Sequence, residues 1–120
     1  MDERRNFVRL KKRIKVMYKY IIDRFASTTA PPNITYTDSL SGNGMVIFSP
    51  KKIEKGKKLE ISIEVPDGNK KTVDLAGEVL GVNELNENEN EIRIKFTEID
   101  EPDRDRLVRY ILKEGVKKKG

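Results

Sequence analysis

Apolar and polar residues alternate strictly over residues 14–22: Ile14, Val16, Tyr18, Tyr20 and Ile22 fall on one side, with Lys15 and Lys19 opposite. A period of two over nine residues predicts a half-buried strand, and the β-branched and aromatic apolar face argues against a helix. Residues 26–33, with Ser27, Thr28, Thr29 and the pair Pro31-Pro32, read as a loop. A short strand over 34–38 is followed by a turn at Gly42-Asn43-Gly44, and the continuous apolar run 45–48, bounded by Ser49-Pro50, predicts a buried strand. After a basic connection over 51–58, Leu59, Ile61, Ile63 and Val65 alternate with Glu60, Ser62 and Glu64 in a further strand. Pro66-Asp67-Gly68-Asn69 then closes a hairpin, because Asp-Gly tolerates positive φ.

Residues 72–82 predict a longer strand, with Gly77 marking a bulge or bend. The polar tract 83–90 reads as a flexible loop before a last strand carried by Ile92, Ile94 and Phe96. Asp100 is a good N-cap for a helix with Glu101 and Asp103 in its first turn, where the dipole favours negative charge and Pro102 is tolerated. Leu107, Val108, Ile111 and Leu112 form its apolar stripe, Gly115 stops it, and residues 116–120 form a disordered tail. The predicted architecture is all-β with a C-terminal helix: about six antiparallel strands that avoid exposed edges by closing into a small barrel. The expected organisation is one domain, with a basic arm over 1–13, the barrel over 14–99 and the helix over 100–115. The helix either caps an open end of the barrel or offers its stripe to a partner.

Composition narrows the function. The chain of 120 residues has no cysteine and no histidine, so it cannot build a disulfide, a thiolate nucleophile, a Ser-His-Asp triad or a His- or Cys-ligated metal site. Acid–base chemistry would fall to Asp, Glu, Lys or Tyr, and none sits in a catalytic spacing, so the expectation is a non-enzyme without metal or cofactor. No apolar run approaches the roughly 18 residues of a membrane span, and the charged start lacks a signal peptide's apolar segment, so a cytoplasmic protein is expected. The net charge of +5 is uneven, with basic residues crowding positions 4–13 and the last few positions. That distribution favours an anionic partner at the arginine end.

Two stretches carry candidate chemistry. In Arg4-Arg5-Asn6-Phe7-Val8-Arg9, Arg5 and Arg9 share a face if the backbone is helical, and line up with Phe7 if it is extended. Either way two guanidinium forks converge, each able to grip a phosphate or a guanine edge through paired N–H donors, which lysine cannot do. A solvated basic tail is the plain alternative. In Ser39-Leu40-Ser41-Gly42-Asn43-Gly44, two hydroxyls lie on one side of an extended segment and two glycines let the backbone turn and approach a flat ligand. Such Ser/Gly/Asn clusters are also ordinary turns. Lys51, Lys52, Lys55, Lys57 and Lys58 read as a solvated turn, and Glu84, Glu87, Glu89 and Glu91 as a solubilising loop.

Together the arginine arm, the alternating strand and the Ser39-x-Ser41-x-x-Gly44 stretch some thirty residues on resemble the PilZ family. The likeness runs from Glu3-Arg4-Arg5 through Gly77-Glu78-Val79 and Ile94-Lys95-Phe96 to the closing helix at residues 104–111. The resemblance implies a six-stranded β-barrel that binds the second messenger cyclic di-GMP. It implies that Arg5 and Arg9 wrap the messenger's phosphates and guanines, preceded by Arg4, and that Ser41 and Gly44 line the guanine pocket. Ser39 falls where the family has Asp or Asn, which removes a bidentate contact to guanine N1–H and N2–H. Losing one such charge-assisted bond costs on the order of 1.5–3 kcal/mol, tenfold to a hundredfold in affinity. Asp38 and Asn43 are secondary candidates; Asp38 faces the other way in a regular strand unless a bulge redirects it. The expected function is a cyclic di-GMP receptor whose arm changes conformation and signals to a protein partner, as a monomer or weak dimer. A degenerate adaptor that binds no nucleotide is the alternative. A single-strand nucleic-acid binder is disfavoured, since Tyr18 and Tyr20 fall on the core face.

Overall fold

The computed structural model describes residues 7–21 and 31–119, and side chains as far as residue 115. Six strands, β1 (Lys15–Tyr20), β2 (Asn33–Leu40), β3 (Gly44–Ser49), β4 (Lys58–Ile63), β5 (Val73–Asn86) and β6 (Glu89–Glu98), precede one helix, α1 (Glu101–Lys119). They close into an antiparallel barrel in the order β1-β2-β3-β6-β5-β4. Each strand is paired on both sides, which leaves no free edge. Alternation holds as the pattern predicts for Val16 and Tyr18, Met45 and Ile47, Leu59, Ile61 and Ile63, and Ile92 and Ile94, all buried, but Tyr20, expected on the core face, is 39% exposed at the end of β1.

Antiparallel pairing also decides what meets at each end. The start of β1, the β2–β3 turn, the β4–β5 loop and the end of β6 share one end of the barrel. The arm and α1 therefore converge there, and α1 caps that end through buried Leu107, Tyr110 and Ile111.

Several boundaries differ from the sequence reading. Asn83 to Asn90 are not a flexible loop: β5 and β6 stay paired to Asn86↔Glu89, around a turn at residues 87–88. Residues 83–88 are exposed on both faces of this ribbon, so no apolar alternation marks it, and polar links such as Asn83 Nδ2 donating to Glu91 Oε1 at 3.1 Å hold it instead. The strand expected over 34–38 extends to Leu40. The helix runs through Gly115 to Lys119, where a stop and a disordered tail were expected. Gly115 lacks the positive φ of a C-terminal glycine cap, and one glycine in a helix costs only about 1 kcal/mol. The buried stripe takes Tyr110 and leaves Leu112 48% exposed. Gly77 does sit at a register shift, and Gly68 of the Asp-Gly pair has φ +90°.

Arg106 ties α1 to the β4–β5 loop. Its guanidinium donates to both carboxylate oxygens of Asp67 (2.8 and 2.9 Å) and to the carbonyls of Asn69 and Lys71. The Arg106 hydrogen bond, helped by the Asn69 N–H, holds the Asp67 carboxyl at about 2 against an ordinary 3.8, in spite of partial desolvation. A depressed carboxyl stabilises the fold above the unfolded value and loses that contribution as pH falls through the folded one. Chemical denaturation is therefore expected to show about 1–2 kcal/mol lost between pH 4 and pH 2, with Asp67→Asn flattening that dependence.

Candidate functional site

The two stretches singled out in the sequence meet at the capped end. Leu10 and Leu40 form an isolated antiparallel bridge, with N–H to carbonyl distances of 2.8 and 2.9 Å in the two directions. This lays the arm antiparallel against the end of β2. One residue back, Arg9 Nη1 donates to Ser39 Oγ at 2.9 Å. Ser39 is thereby 4% exposed while Arg9 itself stays open to solvent. Arg4 and Arg5 lie outside the described residues.

A bulge shapes β2 at this point. Thr37 pairs with Ile47 and Ser39 with Val46, so Asp38 is the extra residue. Thr37 and Leu40 both face the core at 0% exposure, with two residues between them instead of one. Asp38 and Ser39 therefore share the outer face. Asp38, expected to face the other way, sits beside the serine that occupies the family's acidic position, with its carboxylate 3.8 Å from Lys11 Nζ.

Ser41 plays a different part from Ser39. Its hydroxyl donates to Asn43 Oδ1 at 2.8 Å, with the Gly44 carbonyl at 3.2 Å, and accepts from the Asn43 N–H at 3.3 Å. These bonds build the turn, which the Ser41 N–H closes onto the Gly44 carbonyl at 2.9 Å. The glycines do not serve as the backbone hinges expected from sequence, since neither Gly42 nor Gly44 has positive φ. They provide space. A Cβ at Gly42 would lie 2.4 Å from the Phe7 ring and 2.8 Å from Val108 Cγ2, and one at Gly44 would lie 2.6 Å from the Ile94 carbonyl oxygen.

Gly42 is thus the point where arm, turn and helix touch. Arg104 Nε donates to the Gly42 carbonyl at 3.1 Å, and its guanidinium lies 5.6 Å from the Phe7 ring centre. A second arm-to-helix contact joins Lys12 Nζ to Glu114 at 2.8 Å and sets it 5.6 Å from the Tyr110 ring centre. Hydrogen bonds to Glu114 and then Tyr110 raise the Lys12 ammonium above its usual range. Along the outer face, Arg13 lies over Phe48 at 5.0 Å. Sequence reading did not single out Phe7's ring contact, Lys12, Arg13 or Arg104; a glycine flanked by polar turn residues was the one hint of a close approach.

The site presents cations on a solvent-facing surface, with a hydroxyl and a carboxylate between them. That chemistry suits a flat, anionic ligand with hydrogen-bonding edges. Among the described residues, no group of three or more acidic side chains could hold a metal ion, and no helix is long and apolar enough to cross a membrane.

Comparison with known proteins agrees with the barrel fold. The Bacillus subtilis inhibitor of motility MotI/DgrA superposes with a TM-score of 0.81 at 16% identity, covering 99% of this chain and 55% of that one. The chain therefore spans about half the length of that structure. The PilZ domain of Escherichia coli YcgR, solved with c-di-GMP, matches at a TM-score of 0.65 and 14% identity, covering 96% of each chain. A tetrameric PilZ-domain protein from Xanthomonas campestris matches at 0.57 and 16% identity, covering 79% of this chain and 52% of that one. At these identities the likeness establishes the fold. No curated protein sequence gives a match. The sequence itself matches the PilZ domain over residues 3–113, nearly its whole length, and the chain belongs to that family.

Proposed function

We propose that this protein is a cyclic di-GMP receptor in which the arm closes over the outer face of β2 and β3. The observation that carries the reading is the Arg9–Ser39 hydrogen bond, which joins the arm to the Ser39–Gly44 stretch across thirty residues of sequence. Arg9, with Arg4 and Arg5 ahead of it, supplies guanidinium forks for phosphate and guanine. Ser39 and the Ser41–Gly44 turn, with Asn43 in it, form the surface beneath. Asp38, brought to the outer face by the bulge, supplies the carboxylate that position 39 lacks. The YcgR PilZ domain, solved with c-di-GMP, supports the ligand class. The arm's contacts with α1 through Phe7 and Lys12 give ligand binding a route to a surface that a protein partner could read.

A second reading, a protein-interaction adaptor that binds no nucleotide, draws on the same bond: Ser39's hydroxyl is already engaged by Arg9. Isothermal titration with cyclic di-GMP, with GTP and cyclic AMP as controls, separates the two. The receptor predicts saturable heat with cyclic di-GMP alone. It also predicts that Asp38→Ala weakens binding roughly tenfold, and that Ser39→Asp strengthens it. Absence of heat at high micromolar ligand assigns the protein to the adaptor class.

A further inference from the structure

Ser39 opens a row that crosses the outer face of the barrel. It pairs with Val46 on β3, Val46 with Arg93 on β6, and Arg93 with Gly81 on β5. Met45 and Ile47 flank Val46 and point into the core, as Ile92 and Ile94 do beside Arg93, so Val46 and Arg93 point outward on Ser39's side. Strands lie about 4.8 Å apart, which sets the backbones of Ser39 and Arg93 roughly 10 Å from each other. Arg93 is exposed and forms no hydrogen bond or ion pair with any described residue. Its guanidinium is laid across the next strand: a Cβ at Gly81 would stand 2.7 Å from Nη2, 3.5 Å from Cζ and 3.6 Å from Nε. Gly81 sits at a register shift, with Leu80 as the extra residue.

An arginine whose donors engage no described residue, settled over a glycine in line with the candidate site, is placed for a ligand. We propose that Arg93 is a further ligand-binding arginine, gripping the half of a cyclic dinucleotide that lies away from the arm. This rests on the receptor reading and extends the site from β2 to β5. Arg9 holds one side of the row and Arg93 the other, with Val46 between them offering an apolar floor for a base. The paired N–H donors of Arg93 match the paired acceptors of a phosphate or of guanine O6 and N7. Lysine would keep the charge and lose the fork. Gly81 keeps the guanidinium low against the sheet, so a methyl there should displace it without removing any charge.

The test is titration of wild type, Arg93→Ala, Arg93→Lys, Gly81→Ala and Arg9→Ala with cyclic di-GMP, alongside thermal unfolding of each. Arg93→Ala is expected to bind at least about tenfold more weakly with an unchanged unfolding midpoint, Arg93→Lys nearly as weakly, and Gly81→Ala several-fold more weakly. Wild-type affinity in Arg93→Ala, alongside lost affinity in Arg9→Ala, overturns the role of Arg93 and leaves the receptor reading standing. Wild-type affinity in Arg93→Lys overturns the fork contact in favour of simple charge. No binding by the wild-type protein overturns both readings.

Discussion

Arg9→Ala is expected to weaken cyclic di-GMP binding on the order of 100-fold, and the double variant with Arg5→Ala to abolish it, without loss of stability. Arg9 is solvent-exposed and its one described contact is the Ser39 hydroxyl, so truncating it removes no core packing. What it removes is a bidentate donor to an anion. Two charge-assisted hydrogen bonds at a partly screened site amount to about 3 kcal/mol, which is the stated hundredfold. Arg9→Lys should lose most of the same affinity, because an ammonium cannot offer the planar pair. Titration calorimetry gives the affinities and a thermal melt checks the fold. A double variant that binds as well as wild type would sink the receptor reading. The substitution also frees Ser39, so a modest rise in arm mobility near Leu10 is the expected structural effect, readable as faster amide exchange at Leu10 and Leu40.

The barrel was legible because its strands obey period two wherever one face is buried, as with Leu59, Ile61, Ile63 and Val65. Legibility ended where that rule has no hold. The outer part of the β5–β6 ribbon is wet on both sides, so Asn83 and Glu84 looked like a loop. The two motifs were visible as residue types, but their joint geometry was not. A bulge that leaves Asp38 unpaired has no composition signal, and it alone brings Asp38 to the outer face beside Ser39. Likewise the Arg9–Ser39 bond follows from the Leu10–Leu40 bridge, a long-range pairing that no local pattern announces. Gly42 and Gly44 have ordinary φ, and close neighbours, not the chain reversal their residue type suggests, require them. Arg93 looked like any outward residue of an amphipathic strand, and only register places it in Ser39's row.

Gly44→Ala is expected to destabilise the protein by about 3 kcal/mol, lowering the unfolding midpoint by roughly 10 °C, although its backbone conformation suits alanine. The cost is steric. The added Cβ would stand 2.6 Å from the Ile94 carbonyl oxygen, a backbone atom of β6. A flexible side chain could swing away, but here the strand itself must yield. β3 is held by β2 on one side and by six paired positions on β6 on the other, and barrel closure denies both neighbours an open direction in which to move. Gly115→Ala supplies the contrast: a Cβ there meets nothing within 4 Å, and alanine in place of glycine inside α1 should add about 0.5–1 kcal/mol. If both substitutions shift the midpoint by similar small amounts, close packing of β3 on β6 is not what requires Gly44. The distinction matters for the Ser39–Gly44 stretch. A glycine filled by a neighbouring carbonyl shapes the turn that carries Ser41 and Asn43, and does not leave a vacancy for ligand. Gly44→Ala should therefore bind cyclic di-GMP within a few-fold of wild type when assayed well below its lowered midpoint, whereas Arg9→Ala should fail to bind tightly at any temperature.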